Sequence, residues 1–163
     1  MNDAKSDENQ QTPPLPIVDP LVTSQLSDEQ LDLLRPHGEV RPTVAGQVLF
    51  REGDRSYDFM VILSGAVTIV DHHDKREREL ATGGPREFLA ELNILTGERV
   101  FSTAVVREPG SILVVPVDVL QSLISKDREL GDLIVRTAYL RRQWLVEAQA
   151  GMTIVGSRSS RDT

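Results

Sequence analysis

Between Gly38 and Pro116 the chain is a succession of short segments rich in Val, Ile, Leu and Phe, set apart by Gly, Pro and charged residues. The segments are VLFRE, FMVIL, AVTIV, ERELA, STAVV and ILVVP, and the breaks are REGDRSYD, LSGA, DHHDKRE, GGP and REPGS. Apolar runs of this length bounded by turn formers predict strands. Gly53, Gly65, Gly83, Gly84 and Gly110 fall in the breaks, where a backbone can need angles closed to other residues. The expected fold is mainly β with flanking helices, as a small barrel or a two-sheet jelly roll.

The flanks read as helices. Ser27 with Gln30 three residues on, acids in the first turn, apolar Leu31, Leu33 and Leu34, and Pro36 as a stop predict one short helix. After Pro116 two helices are expected, the second capped by Asp127 and running to about Ala150, with Gly151 ending it. In that helix Leu133, Thr137, Leu140, Trp144 and Ala148 recur at helical spacing, joined by Ile134, Ala138 and Leu145. So broad an apolar face suits a helix that packs on the barrel with one side and pairs with a second copy through the other. A helix simply folded back on its own core is the alternative.

Residues 1–16 are polar with a Pro cluster and read as a disordered leader, residues 17–150 as the folded domain, and residues 151–163 as a tail or the start of a linker. Within the tail, Ile154 and Val155 look strand-like.

Charge narrows the functions. Eighteen Lys and Arg against 25 Asp and Glu give a net charge of −7, which opposes non-specific attraction to nucleic acid or anionic lipid. With no cysteine, thiol nucleophiles, dithiol redox centres and thiolate metal sites are excluded. The longest weakly polar run, Phe59 to Val70, falls far short of the ~20 residues that cross a bilayer. The N-terminus carries no basic start followed by an apolar stretch, so the cytoplasm is the expected location.

The stretch from Val48 to Ile69, VLFREGDRSYDFMVILSGAVTI, resembles the first half of the cyclic-nucleotide-binding domain, the sensor module of the catabolite activator protein and of cyclic-nucleotide-dependent kinases. There an REGD turn and an ILSG turn bracket a strand, as Arg51 to Asp54 and Ile62 to Gly65 do here, and Gly65 is expected to form the tight hairpin that lets the roll close. Glu87 to Val106, EFLAELNILTGERVFSTAVV, is similar to the family's phosphate-binding cassette. The resemblance implies a β-roll with a short N-terminal helix and two C-terminal helices, and cyclic AMP or cyclic GMP as ligand. It places Leu89, Ala90, Glu91 and Leu92 at the cassette, with Glu91 accepting a ribose hydroxyl.

Two departures bear on the ligand. Ala90 stands where the family has Gly, and Phe101 stands where ligand-binding members carry the Arg that forks onto the phosphate, beside Ser102 at the hydroxyl position. RVFST is also one residue longer than the usual segment, which gives Arg99 a route into the pocket as a substitute cation. On this reading the cassette is degenerate for cyclic nucleotides. The resemblance also implies that residues of the last helix approach the base, so Trp144, Val146 and Glu147 are expected to cap the pocket, with packing or pairing as the alternative role of Trp144.

A narrower resemblance lies in ELNILTG, AVVREPGSILVVP and IVGSR, which look like the sensor segment fused ahead of bacterial flavin-dependent thioredoxin-disulfide reductases. It implies a non-catalytic module that controls a fused or partner reductase, since this chain has neither GxGxxG nor CxxC. The alternatives are the sensor of a transcription regulator without its helix-turn-helix, and a pure dimerisation or docking module. Asp71, His72, His73 and Asp74 are read as a solvated hairpin tip rather than a metal site, because adjacent strand residues point to opposite faces. His37 and the pair Glu77 and Glu79 are assigned no catalytic role.

Overall fold

The computed structural model describes residues 25–55, 57–73 and 75–161. The expected leader over residues 1–16 and the onset of order at Ile17 lie outside them. In chain order the elements are α1 (Asp28–Leu34), a 3-10 turn (Arg35–His37), β1 (Glu39–Thr43), β2 (Val48–Phe50), β3 (Phe59–His73), β4 (Arg76–Gly83), β5 (Phe88–Leu89), α2 (Glu91–Thr96), β6 (Thr103–Val115), α3 (Val117–Lys126) and α4 (Arg128–Arg161). The six strands form one antiparallel sheet in the order β1-β6-β3-β4, with β2 paired to β6 and β5 to β3. This is the mainly β architecture with flanking helices that the strand spacing predicts, in the β-roll form that the resemblance implies.

Two expected turns are instead bulges. FMVIL and AVTIV run together as β3 through Gly65, and STAVV and ILVVP run together as β6 through Gly110, so the hairpin predicted at Gly65 does not form. Gly65 has φ 87° and the β3–β6 register slips on both sides of it. A Cβ on Gly65 would collide with the Glu108 carbonyl oxygen, and one on Gly110 with that of Ser64. The two glycines face each other across the ladder, where an extra residue bends the paired strands without breaking them.

Side-chain alternation divides the core. Phe59 and Val61 on β3 and Leu113 and Val115 on β6 face the helices, where they meet Leu34, Leu120, Leu130 and Ile134. Met60, Ile62, Ile112 and Val114, one residue out of phase, fill the roll with Phe50, Leu89 and Val106. A third, smaller cluster seats α4 on the sheet, with Trp144 and Leu145 against Leu80, Ile69, Leu92 and Phe101.

The helix ends follow local chemistry. Ser27 Oγ accepts from the Gln30 N–H at 3.1 Å, and Gln30 Oε1 accepts from the Ser27 N–H at 2.9 Å, closing the predicted capping box. Asp127 Oδ1 accepts from the Leu130 N–H at 3.0 Å and caps α4 as expected. The far end of α4 corrects the sequence reading. It continues through Gly151 to Arg161, so neither a stop at Gly151 nor a strand at Ile154 and Val155 is found. Glycine within a helix costs about 1 kcal/mol relative to Ala but ends it only when it turns left-handed. Among the described residues no helix is long and apolar enough to cross a membrane.

Candidate functional site

The cassette segment is pinned to the sheet before it turns into α2. The Ile62 N–H donates to the Glu87 carbonyl oxygen at 2.9 Å and the Arg86 N–H to the Ile62 carbonyl oxygen at 2.7 Å, while β5 pairs Leu89 with Met60. Ala90 then takes φ 75°, and this left-handed residue swings the chain into α2. For a residue with a Cβ that conformation costs about 1–2 kcal/mol, which explains why glycine suits the position. Ala90→Gly is expected to raise unfolding stability by about 1 kcal/mol, partly offset by the freer unfolded chain, as measured by urea denaturation. A loss of stability would show that the Ala90 methyl packs better than its backbone angle costs.

The turn into α2 leaves a cavity of about 90 Å³ between the sheet, the cassette, the segment from Val100 to Ser102, and one face of α4. Leu89, Ala90, Glu91, Leu92, Phe101, Ser102 and Trp144 all line it. Arg99 does not: it is exposed, outside the cavity wall, while its neighbour Glu98 accepts from Arg142 Nη2 of α4 at 2.7 Å. Val146 and Glu147 are exposed on α4 and do not contribute to the wall either. The walls are mostly apolar, with Phe50, Ile69 and Leu145 completing them.

The cavity's cation comes from a residue that the sequence reading passed over. Arg141 of α4 reaches the cassette, where Nη1 donates to Glu91 Oε1 at 2.7 Å and to the Phe88 carbonyl oxygen at 2.6 Å. Its guanidinium carbon lies 5.1 Å from the centroid of the Phe88 ring. Glu91 is only 1% exposed, so its carboxylate depends on this charge-assisted contact. The signal was in the helical spacing: Arg141 follows buried Thr137 by four residues and precedes buried Trp144 by three, which puts a charge on the inward face.

Glu87 is a second carboxylate in the wall. Its Oε2 accepts from the Gly84 N–H at 3.0 Å, and it is 4% exposed. Burial pushes its pKa up to about 7, against the lowering effects of the Gly84 hydrogen bond and of the Arg141 charge. A carboxyl whose folded pKa lies above its unfolded value keeps a proton that the unfolded chain has lost. Its contribution to stability therefore falls as pH rises from the unfolded value of 4.5 to about 7. Between pH 5 and pH 7 the expected loss is about 2 kcal/mol, at 1.36 kcal/mol for each unit of pKa difference. Glu87→Gln should flatten that slope in urea unfolding at several pH values, and an unchanged slope would assign it to other groups.

Elsewhere, Arg78 pairs with buried Asp71 at 2.9 Å, and Arg107 bridges Glu77 and Glu79, so these three carboxylates are each paired with a cation.

The model of the cyclic nucleotide-binding domain family matches residues 40–127 of this sequence. Among curated proteins none matches. A transcriptional regulator from Thermotoga maritima superposes with a TM-score of 0.65 at 23% identity, over 76% of this chain and 98% of that one. The Thermus thermophilus catabolite activator protein does so with a TM-score of 0.60 at 27% identity, over 84% of this chain and 63% of its own, so this chain spans just under two thirds of that protein. The regulatory domain of Toxoplasma gondii PKA with cAMP is similar in fold, with a TM-score of 0.54 at 20% identity, over 71% of this chain and 45% of that one.

Proposed function

Because this chain belongs to the cyclic nucleotide-binding domain family, we propose that it is a non-catalytic regulatory module in which the state of the cassette cavity is read out as the position of α4. One observation carries the reading: Arg141, a residue of α4, is bonded inside the cassette to Glu91, the residue that by resemblance receives the ribose. A ligand hydroxyl that takes Glu91 must share or displace that guanidinium, so occupancy and helix position are coupled. A ligand shifts such an equilibrium only as far as it binds the two helix positions differently.

The cavity is poorly suited to an anion. Val100, Phe101 and Ser102 bring no cation to its wall, and Arg141 faces two carboxylates, Glu87 and Glu91. Burying a phosphate without a cationic partner forfeits roughly 2–5 kcal/mol, with each 1.4 kcal/mol worth a factor of ten. Calorimetric titration with cyclic AMP and cyclic GMP is expected to give dissociation constants weaker than about 100 μM. Micromolar binding would overturn the degenerate-cassette reading.

Two readings bear on what the module controls. The resemblance of ELNILTG and AVVREPGSILVVP supports a thioredoxin-disulfide reductase, fused or separate, in the cytoplasm. The 26% identity to the N-terminal domain of a Streptomyces coelicolor transcriptional regulator, over 83% of this chain, supports a transcription regulator instead. Reductase turnover measured with and without the domain separates the two.

A further inference from the structure

The outer side of α4 carries apolar surface that no described residue covers. Val135 is 54% exposed and Tyr139, one helical turn on, is 63% exposed. Both line an open groove of about 940 Å³ shared by the end of α3 and the first turns of α4, which has room for several side chains of a partner. Gly131 lines it too, and there the two helices close on each other. A Cβ on Gly131 would lie 2.9 Å from the Ile124 carbonyl oxygen, so glycine is what permits the approach.

The groove reverses the charge of the chain. Lys126, Arg128 and Arg136 line it against one carboxylate, Asp132, in a protein of net charge −7. Among the described residues none of these four side chains has an ion pair, with Asp132 or with anything else. Arg128 opens α4, where a cation opposes the helix dipole, so helix stability does not explain its place. The two hydroxyls of the wall are each in one bond. Ser125 Oγ donates to the Gln121 carbonyl oxygen at 3.0 Å, and the Tyr139 oxygen accepts from Gln143 Nε2 at 3.1 Å, which leaves the Tyr139 proton for an acceptor.

These features restrict the occupant. A second copy seated by two-fold symmetry sets the patch against itself, so its cations crowd their own counterparts. Nucleic acid and lipid headgroups match the charge but leave Val135 and Tyr139 uncovered. An acidic segment that also carries apolar side chains satisfies both halves of the wall.

We propose that the groove between α3 and α4 docks an acidic, amphipathic segment of a partner protein, whose aliphatic or aromatic side chains cover Val135 and Tyr139 while its carboxylates pair with Lys126, Arg128 and Arg136. The proposal goes beyond the cassette reading and does not depend on it, because none of these residues lines the cassette cavity.

Three fluorescein-labelled peptides of equal length test it against the full chain by fluorescence polarisation. The first sets Leu and Phe one helical turn apart among Asp and Glu; the second replaces the acids by Asn and Gln; the third keeps the acids and replaces Leu and Phe by Ser. The first is expected to bind saturably, about tenfold tighter than either of the others, and to weaken as salt is raised. Lys126→Glu with Arg136→Glu should cost it at least about tenfold, and Tyr139→Ser should bring it close to the third peptide. These side chains are exposed, so the variants should keep the wild-type unfolding temperature. If the charge reversals disturb the fold, Lys126→Gln with Arg136→Gln serves, with a smaller loss expected in the same direction. Equal binding of the first two peptides or of the first and third, no saturation at millimolar peptide, or affinity indifferent to the charge reversals each overturns the proposal. So does a chain that sediments as a dimer and becomes a monomer in Tyr139→Ser, since the face is then a contact between two copies.

Discussion

Arg141→Ala is expected to lower the stability of the domain by about 3 kcal/mol and to loosen α4 from the cassette, because the substitution removes the guanidinium partner of the buried Glu91 side chain. The side chain also stacks on Phe88, so lost packing adds to lost charge. The two contributions separate in a double-mutant cycle with Glu91→Gln. A neutral amide at position 91 tolerates burial better than a lone carboxylate, so the double variant should be more stable than the sum of the single losses implies, with a coupling of about 1–3 kcal/mol. Hydrogen exchange supplies the second readout. Amides of α4 beyond Leu133 should exchange faster in Arg141→Ala, while those of β3 and β6 keep their protection. If the variant loses less than about 1 kcal/mol and α4 stays protected, the helix is held by the apolar contacts of Trp144 and Leu145 alone, and the ion pair is not the coupling element.

This pair also marks where the sequence was readable and where it was not. The apolar segments, the capping box at Ser27 and the Asp127 cap depend on neighbours within a few residues, and they appear where local chemistry puts them. The cassette side of the cavity was legible too, because the resemblance ran through a continuous stretch, and Leu89 to Leu92 with Phe101 and Ser102 all reach the wall. Gly65 and Gly110 were read as separate turns because each looks like one alone. Their shared role in a bend exists only once β3 and β6 lie side by side. Arg141 is separated from Glu91 by 50 positions, so its helical spacing marks an inward-facing charge without naming the partner that the fold brings to it. Arg99 shows the converse failure. It is close to the cassette in sequence but on the outer side of the loop, where chain proximity implies nothing about direction.

Installing a cation in the wall should convert the cavity toward the ligand its family resemblance implies. Phe101→Arg is expected to strengthen cyclic AMP binding at least about thirtyfold, since a charge-assisted contact of guanidinium with phosphate contributes roughly 2–5 kcal/mol and each 1.4 kcal/mol is tenfold. Ser102 also lines the wall, so Ser102→Arg is the companion variant if the extra residue of RVFST shifts which position faces the phosphate. The new guanidinium has a competitor for its charge, because Glu87 and Glu91 lie in the same wall and only Arg141 now faces them. That competition predicts a pH signature. As Glu87 loses its proton near pH 7, it should draw the new Arg away from the ligand, so the gain in nucleotide affinity should be larger at pH 6 than at pH 8. Phe101→Leu, which opens space without adding charge, should show no comparable gain by calorimetry. Equal gains in the Leu and Arg variants would mean that volume rather than charge keeps the nucleotide out, and that the bulk of Phe101 is what closes the cavity.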